Sequence, residues 1–110
     1  MRGVRIHNYT FIGDEVEIGV GSKIQAFAFI PNGVTIGKNV FIAPHVCFTN
    51  DKYPEAKRYG KFMKTIVEDN VSIGANSTIL CGITLHKGCR IAAGSVVTKD
   101  VKKGELWLKK

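Results

Sequence analysis

The chain has little proline and tryptophan, few acidic residues and no long apolar run. Its 110 residues include three prolines, one tryptophan and nine Asp or Glu against 16 Lys or Arg, which gives a net charge of +7. No stretch approaches the roughly 20 apolar residues of a membrane-spanning helix. The first residues, from Met1 to Arg5, lack the apolar core of a secretion signal. We therefore expect a soluble, cytoplasmic protein with a single domain.

Cysteine is also scarce, and its spacing follows no recognised pattern. Cys47, Cys81 and Cys89 are odd in number and unpaired in spacing. They fit neither a zinc-binding template nor the disulfide framework of a secreted domain. We expect reduced thiols and no metal held by these residues.

The positive charge is concentrated in two segments. Residues 52–64 contain five Lys or Arg and one Glu, and residues 99–110 contain five Lys and two acids. Two short basic segments favour small anionic ligands, such as phosphates, over a continuous track for nucleic acid.

A repeat of six residues is the dominant pattern of the chain. Eight hexads run from Val4 to Asp51, and six more run from Thr65 to Asp100. The first residue of a hexad is nearly always small or β-branched, and the fourth is often glycine or alanine. The third residue is large and apolar in all 14 hexads: Ile6, Ile12, Ile18, Ile24, Ile30, Ile36, Ile42, Phe48, Val67, Ile73, Ile79, Leu85, Ile91 and Val97.

This pattern predicts short strands joined by corners. Side chains alternate along a strand, so positions one and three point inward while the often polar second position points outward. Glycine at the fourth position is expected to permit the turn. Six residues are too few for a helical crossover, and a period of six does not match an α-helix. Stacked hexads therefore indicate a parallel β-helix.

The repeat resembles that of the hexapeptide-repeat acyltransferases, whose fold is a left-handed parallel β-helix with three hexads in each triangular coil. The resemblance implies an all-β domain over residues 1–110, with about five coils and residues 52–64 as a protruding loop. Left-handedness comes from this resemblance and not from the spacing. Trp107 is expected to seal one end of the prism, with stacking on an adenine as the alternative.

The segment just before the loop resembles one subgroup of this family. Thr49-Asn50-Asp51, followed by Pro54, is similar to a motif of N-acetyltransferases that act on nucleotide-linked amino sugars for surface polysaccharides. The resemblance implies transfer of an acetyl group from acetyl-CoA to an amine, with Asn50 and Asp51 beside that amine. An Asx-turn that starts the loop would explain the same two residues. His45 is a competing general base.

The loop itself supplies the candidate substrate-binding residues. Tyr53 and Arg58 belong to an aromatic and basic segment that could cover a cleft. A tolerated surface insertion is the simpler interpretation of the same residues.

The resemblance also implies where acetyl-CoA binds. Ala75 and Ala93 are separated by three hexads, so they occupy one corner in consecutive coils and could let the pantetheine arm approach the backbone. Ser95 could add a hydroxyl group. Lys99 and Lys102 could meet the phosphates as point charges.

Donor and acceptor residues are expected on different corners of one chain, roughly 15 Å apart. The resemblance therefore implies a homotrimer with sites shared between subunits. Three alternatives remain: an O-acetyltransferase for another small acceptor, a non-catalytic β-helix subunit, and a zinc enzyme of the γ-carbonic anhydrase type. His7, His45 and His86 lie in separated coils, which disfavours the zinc enzyme.

Overall fold

The computed structural model describes residues 3–51 and 63–108, and the described chain is all-β. Fifteen short strands follow one another, each of two or three residues. They are β1 Arg5–Ile6, β2 Phe11–Ile12, β3 Glu17–Ile18, β4 Lys23–Ile24, β5 Phe29–Ile30, β6 Val34–Ile36, β7 Phe41–Ile42, β8 Cys47–Phe48, β9 Thr65–Val67, β10 Ser72–Ile73, β11 Thr78–Ile79, β12 Thr84–Leu85, β13 Arg90–Ile91, β14 Val96–Val97 and β15 Leu106–Trp107.

The strands form the three faces of a prism. The first face has the order β1-β4-β7-β10-β13-β15, the second β2-β5-β8-β11-β14 and the third β3-β6-β9-β12. All pairs are parallel, and partners before the loop are three hexads apart, as in Ile6 with Ile24. Across the loop the offset is longer, as in Ile42 with Ile73. The prediction of a parallel β-helix with about five coils is confirmed, and the arrangement is consistent with the left-handed coil that the resemblance implies.

The third positions of the hexads build the core. From Ile24 onward they are almost completely enclosed, whereas Ile6, at the open end of the first face, is 38% exposed. From Ser22 onward the first positions, among them Val40, Val71 and Cys89, are buried beside them. The core is thus a narrow column filled from three sides, and its burial is the main source of stability.

The corners differ from the sequence prediction in the role of the fourth position. Glycines there, such as Gly74, do not have positive φ; the left-handed residue is the sixth of the hexad, as in Asn76 at φ 60°. A Cβ added to Gly74 would lie 2.5 Å from the backbone nitrogen of Ala93 in the next coil. The expectation that this glycine permits the turn was therefore wrong: it lets neighbouring coils approach each other.

The end of the prism beyond Asp100 is closed without a hexad. Val101 forms a bridge to Leu85, and β15 adds Leu106–Trp107 to the first face beside Ile91. Trp107 is partly buried and packs against the core, as the predicted seal requires. None of the described residues forms a helix that could span a membrane.

Candidate active site

Two corners of the prism carry the candidate residues. We call the corner between the first and second faces the alanine corner, because Ala75 and Ala93 lie there in consecutive coils. We call the corner between the second and third faces the loop corner, because Asp51, the last described residue before the predicted loop, lies there. The whole width of the second face separates the two corners.

The alanine corner is held by backbone hydrogen bonds between coils. The nitrogen of His45 donates to the oxygen of Ala26 at 3.2 Å, and that of Asn76 donates to Pro44 at 3.1 Å. One coil further, the nitrogen of Gly94 donates to Ala75 at 2.8 Å. Small residues at the fifth hexad position, namely Ala26, Pro44, Ala75 and Ala93, therefore form a continuous strip beside these bonds.

Three aromatic rings are stacked at the same corner. Tyr9, Phe27 and His45 are the sixth residues of their hexads and lie in three consecutive coils. The ring centroids of Tyr9 and Phe27 are 5.2 Å apart, and those of Phe27 and His45 are 4.9 Å apart, with interplanar angles of 5° and 6°. We call these three residues the aromatic ladder. Its spacing equals the distance between coils, about 4.8 Å.

The aromatic ladder occupies a backbone conformation that suits other residues better. Tyr9, Phe27 and His45 have φ of 64°, 66° and 63°. Bulky residues are uncommon in this left-handed region, and each costs roughly 1–2 kcal/mol there. Most other hexads with positive φ at the sixth position place asparagine or glycine there, as at Asn76 and Gly94, and one places Glu15 there. The sequence analysis missed the ladder, although the recurrence of a ring-bearing side chain at every third hexad was available to reveal it.

Ser95 does not line the surface of the alanine corner. It is fully enclosed, and its hydroxyl donates to the carbonyl oxygen of Ala92 at 2.6 Å. The Ser77 hydroxyl donates to the same oxygen at 3.0 Å. These hydroxyls satisfy a buried backbone group at the corner, and Ser95 is not available to a ligand outside the prism.

The basic residues predicted to meet phosphates are exposed but lie elsewhere. Lys99 belongs to the loop corner, two coils beyond Asn50 in the same column. Lys102 follows Val101 at the end of the third face, and its backbone nitrogen donates to Glu105 at 2.8 Å. Neither residue shares a corner with Ala75 and Ala93 in one chain.

At the loop corner, Asn50 and Asp51 are half-buried. The side-chain nitrogen of Asn50 donates to the oxygen of Asn32 in the coil below, at 3.4 Å. The oxygen of Asn50 accepts a hydrogen bond from the nitrogen of Met63 at 3.1 Å, which joins the two ends of the loop. These two hydrogen bonds hold Asn50 in place, and Asp51 is the next residue in the chain.

A cavity of about 280 Å³ lies beside Asp51. Apolar residues line this cavity together with Asp51 and two threonines. Its described lining residues are Thr49, Asp51, Met63, Leu80, Cys81, Gly82, Ile83 and Thr98. A carboxylate at the edge of an apolar cavity could accept hydrogen bonds from a bound amine.

The structure therefore groups the predicted residues in a new way. His45 shares the alanine corner with Ala75 and Ala93, while Asn50, Asp51 and Lys99 share the loop corner. His45 is exposed and lies one coil below Ala75. Tyr53 and Arg58 lie outside the described residues.

Metal chemistry has no candidate centre in residues 3–51 and 63–108. No three His, Cys, Asp or Glu side chains there come close enough together to hold a metal ion. His86 instead lies 3.3 Å from Glu68, between Nδ1 and Oε1. Cys47 is on the outer side of the second face, and burial raises the pKa of its thiol.

The chain is similar to known acyltransferases in both sequence and fold. Residues 64–99 match the family described as the hexapeptide repeat of succinyl-transferase. A hexapeptide-repeat acetyltransferase from Vibrio cholerae matches with 25% identity and a TM-score of 0.80, over 94% of this chain and 64% of that protein. The chain thus spans slightly less than two thirds of that relative. The Vibrio protein in complex with acetyl-CoA matches with 26% identity and a TM-score of 0.72, over the same shares of the two chains.

A more distant likeness concerns the fold alone. A variant of an N-acyltransferase from Bacillus cereus, solved with dTDP-4-amino-4,6-dideoxyglucose and coenzyme A, has 20% identity and a TM-score of 0.68. The match covers 97% of this chain and 76% of that protein. The stacked hexads, the columns that continue across the loop and these similarities agree, and the chain has the repeat and the β-helical fold of the hexapeptide-repeat acetyltransferases.

Proposed function

We propose that the chain transfers an acetyl group from acetyl-CoA to the amine of a UDP- or dTDP-linked amino sugar, in the cytoplasm, for surface polysaccharide biosynthesis. The strip of small residues at the alanine corner carries this proposal. It is found in a chain whose fold matches an acetyltransferase solved with acetyl-CoA.

The alanine corner is the proposed donor site. Ala75 and Ala93 have no side-chain atoms beyond Cβ, so the pantetheine arm can lie against backbone amides and carbonyls along the prism axis. Lys99 and Lys102 are exposed cations that would attract the phosphates of the donor.

The loop corner is the proposed acceptor site. Asn50 and Asp51 would orient the amine, and the carboxylate of Asp51 would stabilise the positive charge that develops on nitrogen. Tyr53 and Arg58 of the loop are the proposed contacts to the nucleotide. His45, at the donor corner, is the proposed group that removes the proton.

The reaction forms one bond and breaks another. The neutral amine nitrogen bonds to the thioester carbonyl carbon, the carbon–sulfur bond breaks, and the sulfur leaves with the bonding electrons. The nitrogen loses one proton to the base, and the sulfur takes up one proton to become the thiol of coenzyme A. No oxidant or metal is needed for this balance.

The two corners require a second chain to meet. Because the second face separates them, the alanine corner of one protomer would face the loop corner of its neighbour. A homotrimer closes such an arrangement with three equivalent sites. In it, Lys99 of one chain would lie beside the donor held by the next.

Release of free thiol from acetyl-CoA tests the proposal. The acceptors are UDP- and dTDP-linked amino sugars, together with the same sugars bearing a hydroxyl in place of the amine. We expect turnover with an amine only, and a fall in kcat/KM of about 100-fold or more in Asn50→Ala and Asp51→Ala. Asp14→Ala is the matched control, because Asp14 is exposed in the Asn50 column, two coils below.

Three results would contradict the proposal. Equal turnover with the hydroxyl sugars would favour an O-acetyltransferase. Binding of acetyl-CoA without turnover on any acceptor would favour a non-catalytic subunit. Unchanged turnover in both variants would remove Asn50 and Asp51 from the site.

A further inference from the structure

The aromatic ladder is a surface feature that core packing does not explain. Tyr9 is 78% exposed and Phe27 is 51% exposed, so both contribute little to the hydrophobic column. Both also occupy the left-handed region, where the other hexads of this chain use asparagine or glycine, with Glu15 as the exception. An unfavourable backbone conformation that is kept at an exposed position points to a function.

The ladder ends at the coil where the chemistry is proposed to occur. His45 is its last ring, and the next two residues of the column, Asn76 and Gly94, carry no ring. One face of the imidazole is covered by Phe27, whose other face is covered by Tyr9. The column continues beyond His45 into the strip of small residues, where the backbone oxygens of Pro44 and Ala75 accept hydrogen bonds from the next coil.

We propose that Tyr9 and Phe27 are positioning residues that fix the plane of the His45 imidazole at the donor corner. The inference rests on the proposed acetyl transfer and assigns the proton-accepting role to His45. Phe27 holds the ring parallel to the coils, and Tyr9 holds Phe27. The fixed imidazole accepts the proton that the amine loses as the nitrogen–carbon bond forms, and it returns a proton to the departing sulfur.

The stack has a second effect on this step. When the imidazole accepts a proton it becomes a cation, and the π-face of Phe27 attracts a cation at this distance. The ladder therefore stabilises the protonated, positively charged form of His45. A leucine at position 27 would fill similar space without providing this interaction.

Phe27→Asn is the decisive variant, because asparagine is the native residue at equivalent corners such as Asn39, Asn70 and Asn76. It should fold at least as stably as the wild type while losing the stack. We expect kcat for acetyl transfer to fall about ten- to a hundredfold, as for a displaced catalytic group, with KM for acetyl-CoA unchanged. Phe27→Tyr should retain kcat.

Phe29→Leu is the matched control. Phe29 is an exposed ring of the same coil and is stacked on Phe11 with centroids 4.9 Å apart, outside the ladder. In the His45→Ala background, Phe27→Asn should cause no further loss, because its effect passes through His45. A structural readout accompanies the kinetics: the ring-proton NMR signals of His45 should shift in Phe27→Asn and not in Phe29→Leu.

The outcomes distinguish the positioning role of Tyr9 and Phe27 from the proposed acetyl transfer on which it rests. Full kcat in Phe27→Asn, with an active wild type, overturns the positioning role alone. Full kcat in His45→Ala overturns the positioning role and also removes His45 as the proton acceptor of the proposed reaction. An additional loss from Phe27→Asn in the His45→Ala background also overturns it, as does a change in sedimentation that accounts for the lost activity. A wild type that acetylates none of the amino sugars overturns the proposed function and this inference with it.

Discussion

At the scale of single residues, the fourth and sixth positions of the hexad have different physical requirements. The sequence shows glycine at both, and the repeat alone does not distinguish them. In the structure the sixth position needs a residue that tolerates positive φ, whereas the fourth needs one without a side chain because the next coil is too close. Contacts between coils are invisible in the sequence, so only the position of the corner could be predicted.

Two glycines test this distinction. A Cβ at Gly74 would lie 2.5 Å from the Ala93 backbone nitrogen, so Gly74→Ala should lower the free energy of unfolding by about 1–3 kcal/mol. Gly88 has φ of 73° and no atom within 4 Å of an added Cβ. Gly88→Asn should therefore change the free energy of unfolding by less than about 0.5 kcal/mol. Urea unfolding measures both. Equal losses would contradict the separate roles.

Cys89 provides a prediction about pH. Burial, and secondly the negative charge of Glu105, raise its pKa from 9.0 to about 11. The folded state therefore holds the thiol proton more tightly than the unfolded chain does. This contribution to stability is complete below pH 9 and is lost as the pH rises towards 11.

The matched variant is Cys89→Val, because valine is native in the same column at Val40 and Val71. Chemical unfolding at about pH 8 and about pH 10.5 should show a larger loss of stability for the wild type than for the variant. Lysine titration affects both proteins, so the difference between them isolates the thiol. An identical loss in both would refute the prediction.

At the scale of the strands, the repeat predicts the fold almost completely once the family resemblance supplies three hexads for each coil. The third residues of every third hexad give the three columns that the structure shows, including the change of register across the loop. This succeeds because each strand pairs only with the same part of the neighbouring coil. The exception is β15, which lies beyond the last hexad and is held by Trp107 packing on the core, a contact without a periodic signal.

The columns predict how stability depends on position. Ile42 is fully buried between two coils, so Ile42→Ala should cost about 2–5 kcal/mol. Ile6 belongs to the same column but is 38% exposed at its end, so Ile6→Ala should cost less than about 1.5 kcal/mol. Denaturant unfolding of the two variants compares them directly. A larger loss at Ile6 would contradict the column model.

At the scale of the whole molecule, the site is harder to predict than the fold. The repeat places each residue on a face or a corner, but His45 and Asn50 lie within one short stretch of chain and still belong to different corners. Ser95 has the right residue type for a ligand contact and is nevertheless enclosed. What separates these residues is the direction of each side chain relative to the prism, together with any second chain that completes the site.

A mixing experiment tests the shared site. Asp51→Ala should inactivate the loop corner, and Ala93→Trp should block the exposed strip at the alanine corner. Each variant alone should be nearly inactive. Trimers reassembled from equal amounts should regain about a quarter of wild-type activity, because one site in four then combines two intact corners.

Absence of recovery after mixing, in trimers shown by mass to contain both variants, would place the whole site within one chain. Recovery to about half or more would also contradict the expected pairing of corners. Sedimentation of the wild type gives the assembly size on which this calculation depends.

Within each run of hexads, paired strands are offset by three hexads, and this offset limits how such a chain can vary in length. Removing or adding one complete turn of the prism would change its height by a single strand spacing and leave every remaining side chain on its original side. A change of one hexad would keep the inward-pointing residues inside but move every later residue to the next face. A change that breaks the hexad would place corner residues within strands, unless the extra segment is excluded from the winding. The pairing of Val34 with Thr65 omits the 13 residues of the segment 52–64 from the register, so the columns on the two sides of that segment keep one alignment.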